Sequence, residues 1–304
     1  MSNSRFLISL VGATATGKTD LAIALAQVLD GEVINADSMQ FYRGMDIGTA
    51  KATPAERGRV THHLLDIYTL DVEANVATFQ KQARQKIADI RSRGKTPILT
   101  GGSGLYVRAV LDSIEFPPTD RRLRQQLTME ANELGIDHLV SELQKVDPDA
   151  AQRLNDDRRI IRAVEVYRLT GKPFTSYMPT RRYHQSIPPV IQVGLMTERA
   201  LLHKRIEQRV YTMMETGWVD EVRWLMTQGL AEAPTASRAI GYRQIMDYIQ
   251  GKTSEEAALG STIIATRKFA RRQETWFKAD PRVHWIDAES NNVVAETLQV
   301  IEAS

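Results

Sequence analysis

Residues Gly12 to Thr19 read Gly-Ala-Thr-Ala-Thr-Gly-Lys-Thr, and the apolar run Phe6-Leu7-Ile8-Ser9-Leu10-Val11 leads straight into them. The spacing is that of a phosphate-cradling loop, G-x-x-x-x-G-K-[ST]. Nothing else in the chain constrains the fold as much. Such a loop works only where a buried strand ends and a helix begins. Gly12 and Gly17 let the backbone curl so that its N–H groups converge on anionic oxygens, and the helix N-terminus adds the positive end of its dipole. Lys18 supplies a mobile charge, and the Thr19 hydroxyl can ligate Mg²⁺. Ala13, Thr14, Ala15 and Thr16 complete the loop, with the two threonines adding hydroxyls. A chance match in a chain of 304 residues has odds of about one per cent, so a phosphate site is preferred to a coincidental glycine turn.

The pattern turns helical at Lys18. Leu21, Ala24, Leu25, Val28 and Leu29 share one face, and Gly31 is expected to end the helix. A second strand, Glu32 to Ala36, runs into Asp37-Ser38. Strand, loop, helix, strand is the opening of a parallel α/β sheet. A helix is predicted over 74–93, stopping at Gly94. A strand over Thr96–Thr100 runs into "GGSGLY" (101–106), and a helix through Val107, Val110 and Leu111 follows. From about 119 to 185 only helices are predicted. Among them is "DRRIIRAVEVYRLTG", capped by Asn155 or Asp156 and stopped at Gly171. "VIQVGL" (190–195) returns to the sheet, and "RVHWID" (282–287) is the last strand. The predicted fold is therefore α/β: a P-loop NTPase-like parallel core over 1–118 and 189–304, with a helical insertion over 119–188.

Composition narrows the function. A net charge of +2 is too mild to announce a nucleic-acid binder, so any basic footprint must be local. The chain has no cysteine, which excludes disulfides, thiolate catalysis and cysteine-ligated metals. No basic n-region precedes the loop and no apolar run reaches membrane-spanning length, so a cytoplasmic protein with no membrane partner is expected. The six histidines form no metal-ligand spacing. His62 and His63, adjacent on a strand, point oppositely.

The loop reads diphosphate geometry and says nothing about what is attached. The usual triphosphatase accessories are missing. The strand at 97–100 ends in Thr100-Gly101-Gly102 where a Walker-B strand ends in a carboxylate, Asp66 in "HHLLD" is a weak substitute, and no guanine-reading N-K-x-D occurs. Asp37, in "DSMQFY" (37–42), stands at a strand C-terminus, the edge that faces the ligand crevice in open α/β sheets. It is placed to meet the reaction partner of the bound phosphate compound, although a turn or capping aspartate fits the spacing equally well.

Seven motifs in order carry a resemblance that covers nearly the whole chain. They are "GATATGKT", "ADSMQFYRGMDIGTAK" (36–51), "HHLLD" (62–66), "GGSGLY", "RRIIRAVEVY" (158–167), "GYRQ" (241–244) and "TRKFARRQETWF" (266–277). With these the sequence resembles the tRNA isopentenyl transferase family. Two departures are noted: Ala13 replaces the family's usual proline, and Ser103 replaces its threonine while keeping the hydroxyl. The resemblance implies that the loop holds dimethylallyl diphosphate, not a nucleotide. The dimethylallyl group goes to N6 of the adenosine 3′-adjacent to the anticodon, with Mg²⁺ as cofactor and no ATP hydrolysed. ATP binding then remains only as the general label of such loops.

By the same resemblance, Asp37 accepts the amine proton, Ser103 serves the tRNA side of the site, and Arg209, in "RIEQRV", meets the diphosphate. Without it Arg209 reads as a solvated helix arginine. Thr19 is the Mg²⁺ ligand. The tRNA footprint is implied at Asp37, Ser38, Met39, Gln40, Ser103, Arg124 and the segment Arg158, Arg159, Ile160, Ile161, Arg162. From spacing alone, Ile160 and Ile161 point away from the arginine face, and a helix salt-bridged to Asp156 and Glu165 is the plainer reading of those arginines. Arg267, Lys268, Arg271 and Arg272 repeat the basic pattern, with Phe269, Trp276 and Phe277 expected mainly in the core. The partners implied are a tRNA anticodon stem-loop and dimethylallyl diphosphate, and a monomer is expected. Three rivals stand beside this reading. An adenylate isopentenyltransferase would modify free AMP; the others are a small-molecule ATP kinase and a non-catalytic RNA-binding protein.

Overall fold

The computed structural model describes residues 6–178 and 180–304. Residues 1–5, assigned above to the core, and Pro179, assigned to the insertion, lie outside the described residues. The first elements are β1 (Leu7–Gly12), α1 (Lys18–Val28), β2 (Gly31–Asn35), α2 (Pro54–Arg59), β3 (His62–His63), α3 (Val76–Ser92), β4 (Thr96–Thr100) and α4 (Gly104–Leu111). Four helices follow: α5 (Arg121–Leu134), α6 (Ile136–Val146), α7 (Pro148–Arg153) and α8 (Asp157–Thr170). The chain closes with β5 (Val190–Met196), α9 (Arg199–Glu215), α10 (Trp218–Thr227), α11 (Tyr242–Ile249), α12 (Glu255–Lys278), β6 (Val283–Asp287) and α13 (Val293–Glu302).

The six strands make one parallel sheet in the order β3-β2-β4-β1-β5-β6. β1 is interior, with Ile8 opposite Ile98 on one side and Ile191 on the other. All six of its residues are buried, which explains a continuous apolar run in place of an alternating one. Parallel pairing brings the C-termini of β1, β2 and β4 to the same edge. Leu10 and Asn35 both register with Thr100, so the loops after these strands converge.

One boundary differs from the sequence reading. Gly31 does not end α1. Asp30 takes the left-handed conformation (φ 45°) instead, and Gly31 opens β2. A Cβ at Gly31 would come within 2.8 Å of the Thr96 carbonyl oxygen, so glycine is needed there for close strand packing.

Two apolar clusters stabilise the sheet-containing unit. Ile8, Leu10, Ile98, Ile191 and Val193 of the sheet pack with Leu21 and Leu25 of α1 and Ile301 of α13. The second joins Tyr42 and Met45 to Trp218 and Val222 of α10, Tyr242 and Ile245 of α11 and Ile263 of α12.

The chain divides into two compact units, one running to Leu111 and resuming over Gln185–Ser304, the other Asp112–His184. The helical unit begins at Asp112, ahead of residue 119, because Ser113 N–H donates to the Arg182 carbonyl at 2.8 Å and Asp112 bridges Tyr183. Its core is Leu127, Leu139, Leu143, Ile160, Ile161 and Val164. Asp156 caps α8 by accepting from Arg159 N–H, and Gly171 (φ 67°) stops it.

Candidate active site

The phosphate loop has three left-handed positions. Gly12 (φ 140°) and Gly17 (φ 83°) are the glycines of the motif; the third is Ala15 (φ 65°). A Cβ at Gly12 would lie 2.7 Å from the Leu195 carbonyl oxygen, so β1 cannot end in any other residue here. Ala15 carries a strain of about 1 kcal/mol, held by bonds on either side. Thr16 Oγ1 donates to the Ala13 carbonyl at 2.9 Å, and Lys18 Nζ donates to the same oxygen. The Thr14 N–H donates to Gln273 Oε1 at 2.9 Å, while Gln273 Nε2 donates to the Gly102 carbonyl at 2.9 Å. Gln273, on α12 and almost fully buried, thus ties the phosphate loop to the glycine turn after β4.

These residues enclose a cavity of about 230 Å³ lined by Thr14 to Asp20, Asn35, Asp37, Gln40, Thr49, Ala50, Glu56, Thr100 to Gly102, Arg209, Phe269 and Gln273. Asp37 stands at its floor, past the end of β2. Its Oδ1 accepts the Met39 N–H at 3.0 Å, its own N–H donates to Asn35 Oδ1, and Asn35 Nδ2 donates to the Asp37 and Leu64 carbonyls. Asp37 is therefore a turn aspartate that also faces the cavity. Among the described residues, Oδ2 has no hydrogen-bond partner. Burial raises the Asp37 carboxyl above its ordinary range, and Met39 N–H and Lys18 counteract this in part. Burial and the Arg209 charge push Lys18 down to about 7, with Asp37 opposing. Arg209, half-buried on α9, is itself lowered by burial, and Asp20 opposes that shift. The cavity holds cationic groups in an environment that disfavours cations, which is the electrostatic condition of a site that takes up an anion.

Thr19 and Asp37 offer a hydroxyl and a carboxylate to this cavity. Among the described residues no three His, Cys, Asp or Glu side chains could hold a metal by themselves. The donor set suits Mg²⁺ that shares phosphate oxygens and keeps waters, not a resident ion.

The remaining residues fall into place individually. Gln40 Nε2 donates to the Thr49 carbonyl at 3.0 Å and, more weakly, to that of Ala50. The Ser38 side chain lies beside the Tyr106 hydroxyl, and Met39 packs on the α10–α11 cluster. Ser103, half-buried, heads α4 one residue past the cavity lining. Asp66 does not face the loop cavity. It is paired at 2.6 Å with both the fully buried Lys51 and Arg57, in the wall of an adjoining apolar cavity of about 1120 Å³ that also reaches Arg209. Of the three aromatics expected in the core, only Phe277 is there. Trp276 is 46% exposed with its indole lying over Gly104, and Phe269 lines the loop cavity with Arg272 over its ring.

In the helical unit the arginines separate into two kinds. Glu165 is fully buried and accepts from Arg124 Nη2 (2.9 Å), Arg162 Nη1 (2.8 Å), Thr119 Oγ1 (3.0 Å) and the Asp120 N–H (2.8 Å). Burial alone would raise its carboxyl, yet Arg162, Asp120 N–H and Arg124 hold it below the usual range. Arg162 also donates to the Pro117 and Pro118 carbonyls. Arg158 is 83% exposed, its closest acid Asp156 lying 3.8 Å away, and Arg159 is exposed as well. Ile160 and Ile161 are buried in the helical core, so only the arginines of this segment present side chains to solvent.

Gln273 and Asn35 were not singled out by the sequence reading. Gln273 lay inside a recognised motif, but its partner Thr14 is 259 residues away and no spacing rule reaches that far.

The chain matches the family described as IPP transferase over residues 40–280. It is 54% identical to the tRNA dimethylallyltransferase of Kocuria rhizophila, over 94% of this chain and 90% of the relative. It is 56% identical to that of Pseudarthrobacter chlorophenolicus, over 95% and 96%. Among solved structures, the tRNA isopentenylpyrophosphate transferase of Bacillus halodurans superposes with a TM-score of 0.71 at 37% identity, covering 98% of this chain and 97% of the other. A eukaryotic dimethylallyltransferase acting on tRNA superposes with a TM-score of 0.82 at 26% identity, covering 97% and 78%.

Proposed function

The chain belongs to the IPP transferase family, and from that premise we infer its reaction: transfer of a dimethylallyl group from dimethylallyl diphosphate to N6 of the tRNA adenosine 3′-adjacent to the anticodon. The observation that carries the residue assignment is that Lys18 and Asp37 line one small cavity at the sheet edge. The cavity's cations attract a diphosphate, and of the carboxylates that line it, Asp20, Asp37 and Glu56, the buried Asp37 beyond the end of β2 suits a proton acceptor.

In the proposed mechanism the adenine N6 attacks C1 of the allyl group. The N6–C1 bond forms as the C1–O bond breaks, and the electron pair leaves with the diphosphate. An exocyclic adenine amine is a weak nucleophile because its lone pair is delocalised into the ring. Asp37 takes the N6 proton on Oδ2 during attack, and its raised carboxyl makes it a better base than a free aspartate. The loop N–H groups, Lys18 and Arg209 stabilise the charge that grows on the departing diphosphate. Mg²⁺, held by Thr19 together with phosphate oxygens, would supply further neutralisation of that charge. Gln40 and Ser38, on the turn after Asp37, and Ser103 are assigned to the nucleoside. Arg158 and Arg159 are assigned to tRNA phosphates; Arg124 and Arg162, proposed alongside them, would have to serve tRNA while bound to Glu165.

Two features weigh against the rivals. β4 ends without the carboxylate that a triphosphate kinase uses, and the relatives of 54% and 56% identity are tRNA enzymes along nearly their whole length. Action as a monomer in the cytoplasm completes the proposal; among the described residues no helix is long and apolar enough to cross a membrane. The test is incubation with dimethylallyl diphosphate, Mg²⁺ and either unmodified tRNA or AMP, followed by mass analysis of nucleosides. Dimethylallyladenosine in tRNA only is the expected result. Product from AMP alone, or ADP formed from added ATP, would overturn it.

A further inference from the structure

The segment Asp46–Lys51 has no regular secondary structure, yet it lines the loop cavity at Thr49 and Ala50. Its conformation is not one it would choose alone, since Ala50 is left-handed (φ 49°). Local bonds brace it, Thr49 Oγ1 to the Met45 carbonyl and Lys51 Nζ to Asp46 among them, and its anchor to the rest of the fold comes from far along the chain. Glu221, on α10, receives three consecutive backbone donors: Asp46 N–H at 2.9 Å and Ile47 N–H at 2.6 Å on Oε2, and Gly48 N–H at 3.2 Å on Oε1. Tyr242 Oη donates to Oε1 at 2.7 Å. Successive N–H groups converging on one point form an anion nest, and here the anion is the protein's own carboxylate. The site is built to fit it. A Cβ at Gly48 would come within 2.2 Å of Trp218 Nε1 and 2.6 Å of the Tyr242 ring, so the segment can approach α10 only through a glycine. Trp218 and Tyr242 are fully buried and meet edge to face.

The other side of the segment faces the active site. Its Thr49 and Ala50 carbonyls accept the Gln40 amide, three residues from Asp37. Thr49 and Ala50, which Glu221 does not touch, are thereby fixed by the three residues it does: the nest sets the segment, and the segment's carbonyls set Gln40. We propose that Glu221 is a positioning residue for the transfer reaction, holding the 46–51 segment so that its carbonyls aim the Gln40 amide at the incoming adenosine. The inference rests on the function proposed above. Glu221 has no contact with either substrate in this assignment. A glutamine at 221 presents an NH₂ group in place of one acceptor oxygen and cannot satisfy all four donors.

The test is a double-mutant cycle on the full chain: Glu221→Gln, Gln40→Ala and the pair, assayed for kcat/KM with tRNA. Each single change should lower kcat/KM roughly 10-fold or more, and the double variant should be no worse than the worse single, because both remove one chain of contacts. Binding of dimethylallyl diphosphate should stay within about 2-fold for Glu221→Gln, since the nest lies on the segment and not on the phosphate loop; a purely structural role would weaken both substrates together. Should Glu221→Gln fail to fold, Tyr242→Phe removes one donor, leaves the backbone bonds, and should show the same non-additivity at a few-fold amplitude. Multiplying losses, or equal losses of both substrates, overturn the proposal while the wild-type reaction stands. A wild-type chain that modifies no tRNA would instead overturn the underlying function.

Discussion

Lys18 and Asp37 offset each other's titration across the loop cavity. The carboxylate counters part of what burial and Arg209 do to the lysine, and the ammonium counters part of what burial does to the acid. In both groups burial outweighs this mutual effect.

Replacing Asp37 with Ala should lower the single-turnover rate by roughly 10²–10⁴-fold while leaving tRNA affinity within a few-fold. In the wild-type enzyme the rate should fall as pH drops through a value above that of a free aspartate, because the raised carboxyl protonates early. A rate for the alanine variant close to wild type, with the acid limb unchanged, would remove Asp37 as the base.

Lys18 makes diphosphate binding pH-dependent. Its free-enzyme value of about 7 means that the charged form predominates below neutrality and is lost as pH rises through 7. A bound diphosphate favours the ammonium, so binding near pH 7.5 should take up a proton at Lys18. Calorimetry in buffers of different ionisation enthalpy should show this uptake in wild type and lose it in Lys18→Met, which also corrects for titration of the ligand itself. The two proteins showing equal proton linkage would contradict the assignment.

Arg158→Ala with Arg159→Ala should weaken tRNA binding and reduce the slope of log affinity against log salt by up to about one unit per contact, less if the strand is single. Thermal stability should be close to wild type, since both side chains are exposed. Arg162→Ala should behave in the opposite way. It strips one ligand from the buried Glu165, and its dominant effect should be a lower melting temperature. Equal salt slopes in wild type and the double variant would take these two arginines out of the tRNA footprint.

A stability prediction concerns Glu32 in β2. Arg93 holds it with a two-pronged pair and His63 Nε2 lies 2.7 Å from Oε2, which brings its carboxyl down to about 2 against the cost of burial. A depressed carboxyl contributes stability above its unfolded value near 4.5 and loses it as pH falls toward 2. The contribution at neutral pH is on the order of 2 kcal/mol. Glu32→Gln should lower the denaturation midpoint at pH 7 and flatten the decline between pH 4.5 and 2. A parallel decline in both proteins would argue against the pair.

The parts of this fold legible in the sequence are those written locally. β4 over Thr96–Thr100 and the stop of α8 at Gly171 follow from neighbouring residues, because a strand's burial and a helix's end are set within a few positions. The Asp30–Gly31 boundary was misassigned because the glycine serves the Thr96 carbonyl across the sheet and not the helix end. Which arginines pair internally was legible only in part: spacing favours the Arg162–Glu165 pair, which forms, but Arg124 reaches the same carboxylate from 41 residues away, where no spacing rule applies. That Asp37 faces the cavity was legible because strand C-termini in open sheets have a general meaning; its role rests on the resemblance. Gln273 and Glu221 act on backbone groups, and a backbone group leaves no mark on the sequence that could point to its partner.

The interior position of β1 has a consequence for how the chain is made. The phosphate loop is translated well before β5, but β1 needs neighbours on both sides, and Leu7 pairs with Val190. The whole helical unit is translated before that partner exists. Its own contacts are local, and local contacts form fast, whereas long-range parallel pairing is slow. Until β5 arrives, β1 has an unpaired apolar edge, the kind of surface that aggregates or recruits chaperones. A loop translated before both strands that flank β1 is thus among the last parts of the active site to be finished.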